Sequence, residues 1–277
     1  MNYSNIAVCS YNLNWEIMDH LNNKNAKLVN EYSLKEITLL KKNIISNIEN
    51  IKNYYNPQIY CFQEASNFDD FLYIFKDTKF NKYDKYDKYV NSSGPEFMVT
   101  VWDKSRFDLI NVKPGEFQEG RPFCLFLLKD LVNNNYIILI NVHAGHIPNT
   151  LSSIFTPIQK QLDKLDKFDK FDKLPNLANI KISRLIMAGD FNRDINSQIH
   201  IDNKLFLMIG KTKYNFKYYD KPMGNTCCSI SSPIYKRNFD FVLDSLEPAL
   251  IRHEIIKEPW YSFPASDHIM IMSILKN

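Results

Sequence analysis

Eight short apolar runs recur along the chain: NIAVCSYN, QIYCFQE, FMVTVWD, FCLFLL, YIILINVH, RLIMAGD, FDFVL and HIMIMSIL. Each is β-branched or aromatic in composition and bounded by turn residues, which predicts strands. Leu185-Ile186-Met187-Ala188 suits a buried strand, and Gly189 after it permits a sharp exit. Between some of these runs the period changes from two to 3.6. Ser33 and Glu36 form a capping-box pattern, and Ile37, Leu40, Ile44, Ile48 and Ile51 then trace one face of a helix. Ser66 followed by Asp69 predicts a second helix carrying Phe71, Leu72 and Phe75. Thr156-Pro157 reads as a cap and first-turn proline of a third, with Ile158, Leu162 and Leu165 on its buried face. Strands outnumbering helices in this alternation predict an α/β (α+β) chain, a mixed sheet or pair of sheets flanked by helices.

Two segments are repetitive. KYDKYDKY (82–89) predicts a surface loop, and LDKLDKFDKFDKL (162–174) a solvated extension of the third helix. A three-residue apolar period spirals off a helical core face, whereas Asp163–Lys167, Asp166–Lys170 and Asp169–Lys173 are favourable i, i+4 pairs. No linker-like change of composition divides the chain, so one domain over 1–277 is expected, with 82–89 and 162–174 as surface insertions.

Composition narrows the classes further. Hydrophobic residues make up 45%, enough for a sizeable core, and 34 basic against 31 acidic residues leave a net charge of only +3. A nucleic-acid partner is permitted by that balance but not demanded. Of five cysteines, Cys9, Cys61 and Cys124 lie in apolar runs and read as buried thiols of a reducing compartment. No stretch is long and apolar enough to span a bilayer, and the first strand follows the start too closely for a signal peptide. A soluble, intracellular monomer without a membrane anchor is expected.

The candidate chemistry sits where the strands end. The first run delivers Asn12 and Asn14, QIYCFQE delivers Gln63 and Glu64, and YIILINVH delivers His143 with His146 three residues on. RLIMAGDFN presents Asp190 and Asn192; Asp240 opens FDFVL's polar start, and Asp267-His268 precede the last run. Singly each has a plain structural reading. Asparagines cap strands, a histidine in an apolar strand is commonly a satisfied core residue, and Asp190 with Asn192 suits a self-bonded turn. Zinc at His143 and His146 lacks further ligands at matching spacing.

Together, SYN, FQE, GDFN and SDH, in that order from Asn12 to His268, resemble the endonuclease/exonuclease/phosphatase superfamily. The resemblance implies a deoxyribonuclease I-like two-sheet β-sandwich flanked by helices, with its active site at one edge. It implies a divalent cation, Mg²⁺ or Mn²⁺, held by Glu64 with Asp267 and Asn12. It implies that Asp190 orients or deprotonates the attacking water and that Asn12, Asn192 and His143 hold the phosphate. His268 would sit over the phosphate with Asp240 fixing its tautomer; either Asp190 or the His268–Asp240 pair would be the base. Hard oxygen ligands suit such cations, and amides hold anions without adding negative charge.

Departures from the pattern bear on substrate. Asn14 stands where several nucleases of this family carry an acid, and KRNFDFVL replaces the motif of inositol 5-phosphatases. Arg121, in GEFQEGRPF, is a candidate phosphate contact. Tyr214, Phe216, Tyr218 and Tyr219 interleave with Lys213, Lys217, Lys221, Lys236 and Arg237, while Trp260, Tyr261 and Phe263 precede the Asp-His pair. Most of these aromatics read as loop packing, yet their interleaving with cations favours nucleic acid as the substrate. The expectation is a metal-dependent phosphodiesterase acting on nucleic acid or its end. The alternatives are a phosphomonoesterase of a small phosphorylated metabolite or inositol phosphate, and an inert member that binds a partner.

Overall fold

The structure is a computed structural model that describes residues 5–19, 31–75, 80–86, 97–117, 120–146, 152–165, 180–193, 205–216, 225–227, 237–246, 250–255, 262 and 265–276. In chain order the elements are β1 (Ile6–Asn12), α1 (Trp15–Met18), α2 (Leu34–Tyr54), β2 (Ile59–Gln63), α3 (Asp69–Leu72, continued by a 3₁₀ turn Tyr73–Phe75) and β3 (Phe80–Tyr86). There follow β4 (Met98–Asp103), β5 (Phe107–Glu116), β6 (Pro122–Asp130), β7 (Asn135–His143), α4 (Ser152–Leu165) and β8 (Ile182–Asp190). The last are β9 (Phe206–Ile209), β10 (Thr212–Asn215), β11 (Asp240–Asp244), β12 (Leu250–Ile255) and β13 (Ile271–Leu275).

Two sheets carry the architecture, one ordered β12-β13-β1-β2-β4-β3 and the other β11-β8-β7-β6-β5; β9 and β10 form a separate hairpin. Their inner faces meet through Val8, Cys61, Trp102, Phe126, Leu139 and Ile186. On the outside of the first sheet α2 lays down Ile37, Leu40, Ile44, Ile48 and Ile51, the stripe its spacing predicts. On the outside of the second, α4 contributes Ile154, Phe155, Ile158 and Leu162. Central strands are thus covered on both faces, which is why their sequences are apolar at successive positions. Each such side chain withdrawn from water contributes roughly 1.5–3 kcal/mol before entropy is counted. Cys9, Cys61 and Cys124 are thiols outside any disulfide and are buried within this packing. Among the described residues no helix is long and apolar enough to cross a membrane.

Strand direction brings the polar ends together. β1 runs parallel to β2, and β7 parallel to β8, so four C-terminal ends emerge on one edge. β11 is antiparallel to β8 and pairs Asp240 with Asp190, while β13 is antiparallel to β1, so the segment entering it arrives at the same edge.

The opposite end is closed by buried charges. Arg184 Nε lies 3.1 Å from Asp244 Oδ1, and Arg106 Nη2 lies 3.2 Å from Asp130 Oδ2. Both arginines belong to the second sheet's side, yet Arg184 donates to the Lys276 carbonyl after β13 and Arg106 to the Asn5 carbonyl before β1. The pairs therefore tie the two sheets together.

Three local expectations are corrected. Residues 82–86 of the first repeat are not a loop but belong to β3, paired on β4. They form the outermost strand, where one bonded edge suffices and charged side chains are tolerated. The third helix begins at Ser152, so Thr156-Pro157 lies inside it. Pro157 has no amide hydrogen, which leaves the Ser153 carbonyl without its helical donor. The second helix starts from Phe68 without a side-chain cap, and Ser66 is buried instead. α4 runs through the start of the second repeat to Leu165; residues 87–89 and 166–174 lie outside the described residues.

Candidate active site

Asn12 ends β1 and spans two carboxylates. Its Nδ2 donates to Asp190 Oδ2 at 2.9 Å and to Glu64 Oε1 at 3.3 Å, bridging the two sheets. Its Oδ1 accepts the Asn14 N–H at 3.0 Å. Asn14, at φ 62°, then caps α1 with its side-chain oxygen and donates Nδ2 to Asp267 Oδ1 at 2.8 Å. That left-handed conformation suits asparagine, whose short amide bonds locally.

Glu64 leaves β2 at φ 51°, a conformation unusual for glutamate that turns its carboxylate into the cleft. Oε2 accepts the Trp15 N–H at 2.9 Å, and Oε1 lies 3.3 Å from His143 Nε2 and 3.5 Å from Arg121 Nη1. Burial alone would raise its pKa. The hydrogen bond and charge of His143, the Arg121 charge and the Trp15 N–H together hold it well below the usual carboxylate range.

Asp190 is buried at the end of β8, with His143 beside it in register on β7. Its Oδ2 lies 3.6 Å from His268 Nε2 and 3.8 Å from His143 Nε2. Oδ1 accepts the Asn192 N–H at 2.7 Å, and Asn192 Nδ2 donates to the Ala144 carbonyl. The self-bonded turn and the polar site are therefore one object: the turn fixes Asp190 while leaving Oδ2 on the cleft side.

His268 Nδ1 lies 2.9 Å from Asp240 Oδ2, and the ring is buried. Burial would lower its pKa, but Asp240, Asp190 and Asp267 outweigh that and raise it well above the ordinary value. Burial pushes Asp240 up to about 6, against the pull of His268. Asp267 is also raised, by burial and by Glu64 and Asp190, against the attraction of His268 and the Asn14 bond. Arg121 approaches His143 Nε2 as well as Glu64, which puts a cation at the cleft mouth. His146 lies nearby, its pKa lowered by burial and by Arg121.

Asn12, Glu64, Arg121, His143, Asp190, Asn192, Asp240, Asp267 and His268 thus share one sheet edge. Supporting groups were not singled out in the sequence. Thr226 Oγ1 accepts the N–H groups of Phe239 and Asp240, and Ser266 Oγ donates to the Asn12 carbonyl and accepts the His268 N–H. Arg193 bonds the Gly145 carbonyl and Ser153 Oγ, linking the Asp190 turn to the His143 loop and α4. Ser266 was the readable one, because it immediately precedes Asp267. The Cys227 sulfur lies 3.3 Å from His268 Nε2.

Of the described members of the aromatic–cationic loop, Phe216 is buried and Tyr214 half-buried, while Lys213 and Arg237 are exposed. Tyr214 Oη donates to the Ile182 carbonyl, Phe216 meets Phe155 edge-on, and Lys213 covers the Phe206 ring. Lys217, Tyr218, Tyr219, Lys221, Lys236, Cys228, Trp260, Tyr261 and Phe263 lie outside the described residues.

The donor set is suited to a hard divalent cation: Glu64 and Asp267 are carboxylates close enough to feel each other's charge, and amides surround them. The groups Asp190–Asp240–His268 and Cys227–Asp267–His268 also bring ligand atoms within 4.8 Å of one another.

No known family's sequence profile matches the chain, and no curated protein matches it in sequence. Solved structures do match in shape over nearly its whole length. ANGEL2, a 2′,3′-cyclic phosphatase, is 15% identical over 98% of this chain and 95% of its own, with a TM-score of 0.66. D. rerio TDP2 in complex with a single-strand DNA product is 15% identical over 99% and 100%, with a TM-score of 0.60. The endonuclease/exonuclease/phosphatase from Bacteroides vulgatus is 12% identical over 98% and 98%, with a TM-score of 0.62. With two sheets packed face to face, helices outside and the polar strand ends gathered at one edge, this chain has the fold of the endonuclease/exonuclease/phosphatase superfamily.

Proposed function

We propose that the protein is a metal-dependent phosphodiesterase that hydrolyses a phosphate ester in nucleic acid or at its end. The observation that carries this reading is Asp190. Its Oδ1 accepts the Asn192 N–H and its Oδ2 accepts Asn12 Nδ2, with two imidazoles within 3.8 Å of that Oδ2. A structural aspartate needs no such surroundings, whereas in-line attack on phosphorus needs an oriented proton acceptor among cations. Similarity to a cyclic phosphatase and to a protein holding a single-strand DNA product supports the substrate class.

The division of labour follows from charge. His268 is held protonated by Asp240, so it serves as a donor to the phosphate oxygens and is a poor base. Asp190 is then the group that takes the proton of the attacking water. Asn192 holds a reacting group as a neutral amide, Asn12 acts through the two carboxylates it bridges, and His143 and Arg121 face the phosphate. Glu64 and Asp267 would hold the cation, and Asn12 steadies the carboxylates through Nδ2, its Oδ1 being engaged by Asn14. A bound divalent cation would supply electrostatic stabilisation of charge on the phosphate and leaving oxygens. The protein works as one domain in this reading.

A panel of esters, with and without chelator, tests it: single-stranded and abasic oligonucleotides, 2′,3′-cyclic nucleotides, sugar and inositol phosphates. The expected result is oligonucleotide hydrolysis that chelation abolishes and Mg²⁺ or Mn²⁺ restores. Asp190→Asn is expected to lower kcat by at least about 10²-fold with an unchanged melting temperature. Release of inorganic phosphate from small esters alone would favour the phosphomonoesterase alternative, and full activity in chelator would overturn the metal.

A further inference from the structure

A groove of about 940 Å³ lies between α4 and the end of β5. One wall is the exposed face of α4, where Ser152, Thr156, Lys160 and Lys164 recur every fourth residue. The facing wall is the end of β5, from Pro114 to Phe117, and β5 is the outermost strand of its sheet. Phe123 forms the floor, packed against Phe117 with ring centroids 4.9 Å apart. Gly115 makes that floor possible, because a Cβ there would lie 2.2 Å from the Phe123 ring. Gln161 Nε2 donates to the Pro114 carbonyl at 2.8 Å and holds the walls at a fixed separation.

Both walls are anchored to the candidate active site at their upper ends. The Phe117 N–H donates to the Arg121 carbonyl, and Arg121 reaches Glu64 and His143. Ser153 Oγ accepts from Arg193, which also holds the Gly145 carbonyl beside the Asp190 turn. From that rim the tract follows α4 from Ser152 to Lys164, a rise of about 18 Å. Hydroxyls come first and ammonium groups follow, with Glu116 as the acid on the strand wall. This order suits a chain whose phosphates follow the helix while its bases turn toward the β5 wall.

Resting on the phosphodiesterase reading, we propose that this groove carries the single-stranded polynucleotide attached to the scissile phosphate. Lys160 and Lys164 would meet its phosphates beyond the reacting one. A protein segment pairing with the β5 edge is the competing occupant.

The test compares the wild type with a Lys160→Glu/Lys164→Glu variant, both positions being exposed on α4. The substrates are a single-stranded ten-nucleotide DNA or RNA and a small chromogenic phosphodiester. The ratio of kcat/KM for the ten-mer to that for the small diester should fall by about tenfold or more, through KM. The slope of log KM against log salt should fall by about 1.4, since each phosphate contact on a single strand contributes about 0.7. Binding of a fluorescent ten-mer to Asp190→Asn, with and without the two charge reversals, should show the same loss. An unchanged ratio and salt slope would overturn the groove while leaving the phosphodiesterase reading intact, and would favour the protein segment. No turnover of either substrate by wild type would instead sink the phosphodiesterase reading. The binding comparison would then decide the groove alone: loss of affinity on charge reversal supports it, and equal affinity overturns it.

Discussion

Asn14 replaces what would be a pair of facing carboxylates with a hydrogen bond, its Nδ2 donating to Asp267 Oδ1 at 2.8 Å. Asp267 is already raised by burial and by its acidic neighbours. Asn14→Asp would set a second negative charge against it, at a position whose left-handed backbone aspartate tolerates. Without a divalent cation the variant should lose about 1–3 kcal/mol, and Mg²⁺ should recover most of that loss. Thermal melts in chelator and in Mg²⁺ measure both; an equal deficit in each would count against a cation between Glu64 and Asp267. The residues of this site were legible because acids, amides and histidines are out of place at the ends of apolar runs. Their supports were not. Trp15 contributes a backbone N–H to Glu64, a group every sequence has, and Thr226 reaches Asp240 across 14 residues. Nothing local to those positions announces the contact.

At the level of elements, delivery of Asp190 depends on β7 and β8 lying unusually close near their ends. Gly189 pairs with Val142 at φ 148°, and a Cβ there would sit 2.0 Å from the Val142 carbonyl oxygen. The neighbouring pair is His143 with Asp190. Gly189→Ala must therefore separate the strands where these two candidate site groups meet. It is expected to cost about 3 kcal/mol or more, read as a lower denaturant midpoint, and to cut activity further than the stability loss explains. A midpoint within error of wild type would refute the close approach. The central strands were readable because burial on both faces leaves an uninterrupted apolar run. β5, with sequence FDLINVKPGE, was missed because an edge strand mixes polar residues with Pro114 and Gly115. β3 was missed for a related reason: its Lys-Tyr-Asp period of three matches neither strand nor helix, and pairing on β4 decides its state. The start of α4 was misplaced because Thr156-Pro157 is a plausible entrance that packing of Ile154 and Phe155 overrides.

Across the whole molecule the candidate site and the structural charges occupy opposite ends. Asp190 lies six residues beyond Arg184 along β8, about 20 Å of strand. At the far end Arg184 and Asp244 are both buried, and Arg184 also reaches the Lys276 carbonyl of the other sheet. Burial pushes Asp244 up to about 6, with Arg184 only partly opposing it. The unfolded chain releases that proton near pH 4, so between about pH 4 and pH 6 the folded state binds more protons. Stability from this group is then greatest at low pH and falls as pH rises through the folded pKa. A shift of about two units corresponds to about 3 kcal/mol. Asp244→Asn removes the titration, so the stability of wild type relative to the variant should decline by up to that amount from pH 4 to pH 7. Urea titrations across this range measure the difference, and a difference that grows with pH would overturn the assignment. Activity per folded molecule at neutral pH should be the same in both proteins, because the groups that would meet phosphate lie at the other edge. The two sheets are thus tied at one end by buried ion pairs, one of which contains Asp244, and joined at the other by Asn12 reaching from β1 to Asp190. Loosening the first weakens the fold; loosening the second should leave the fold and remove the chemistry.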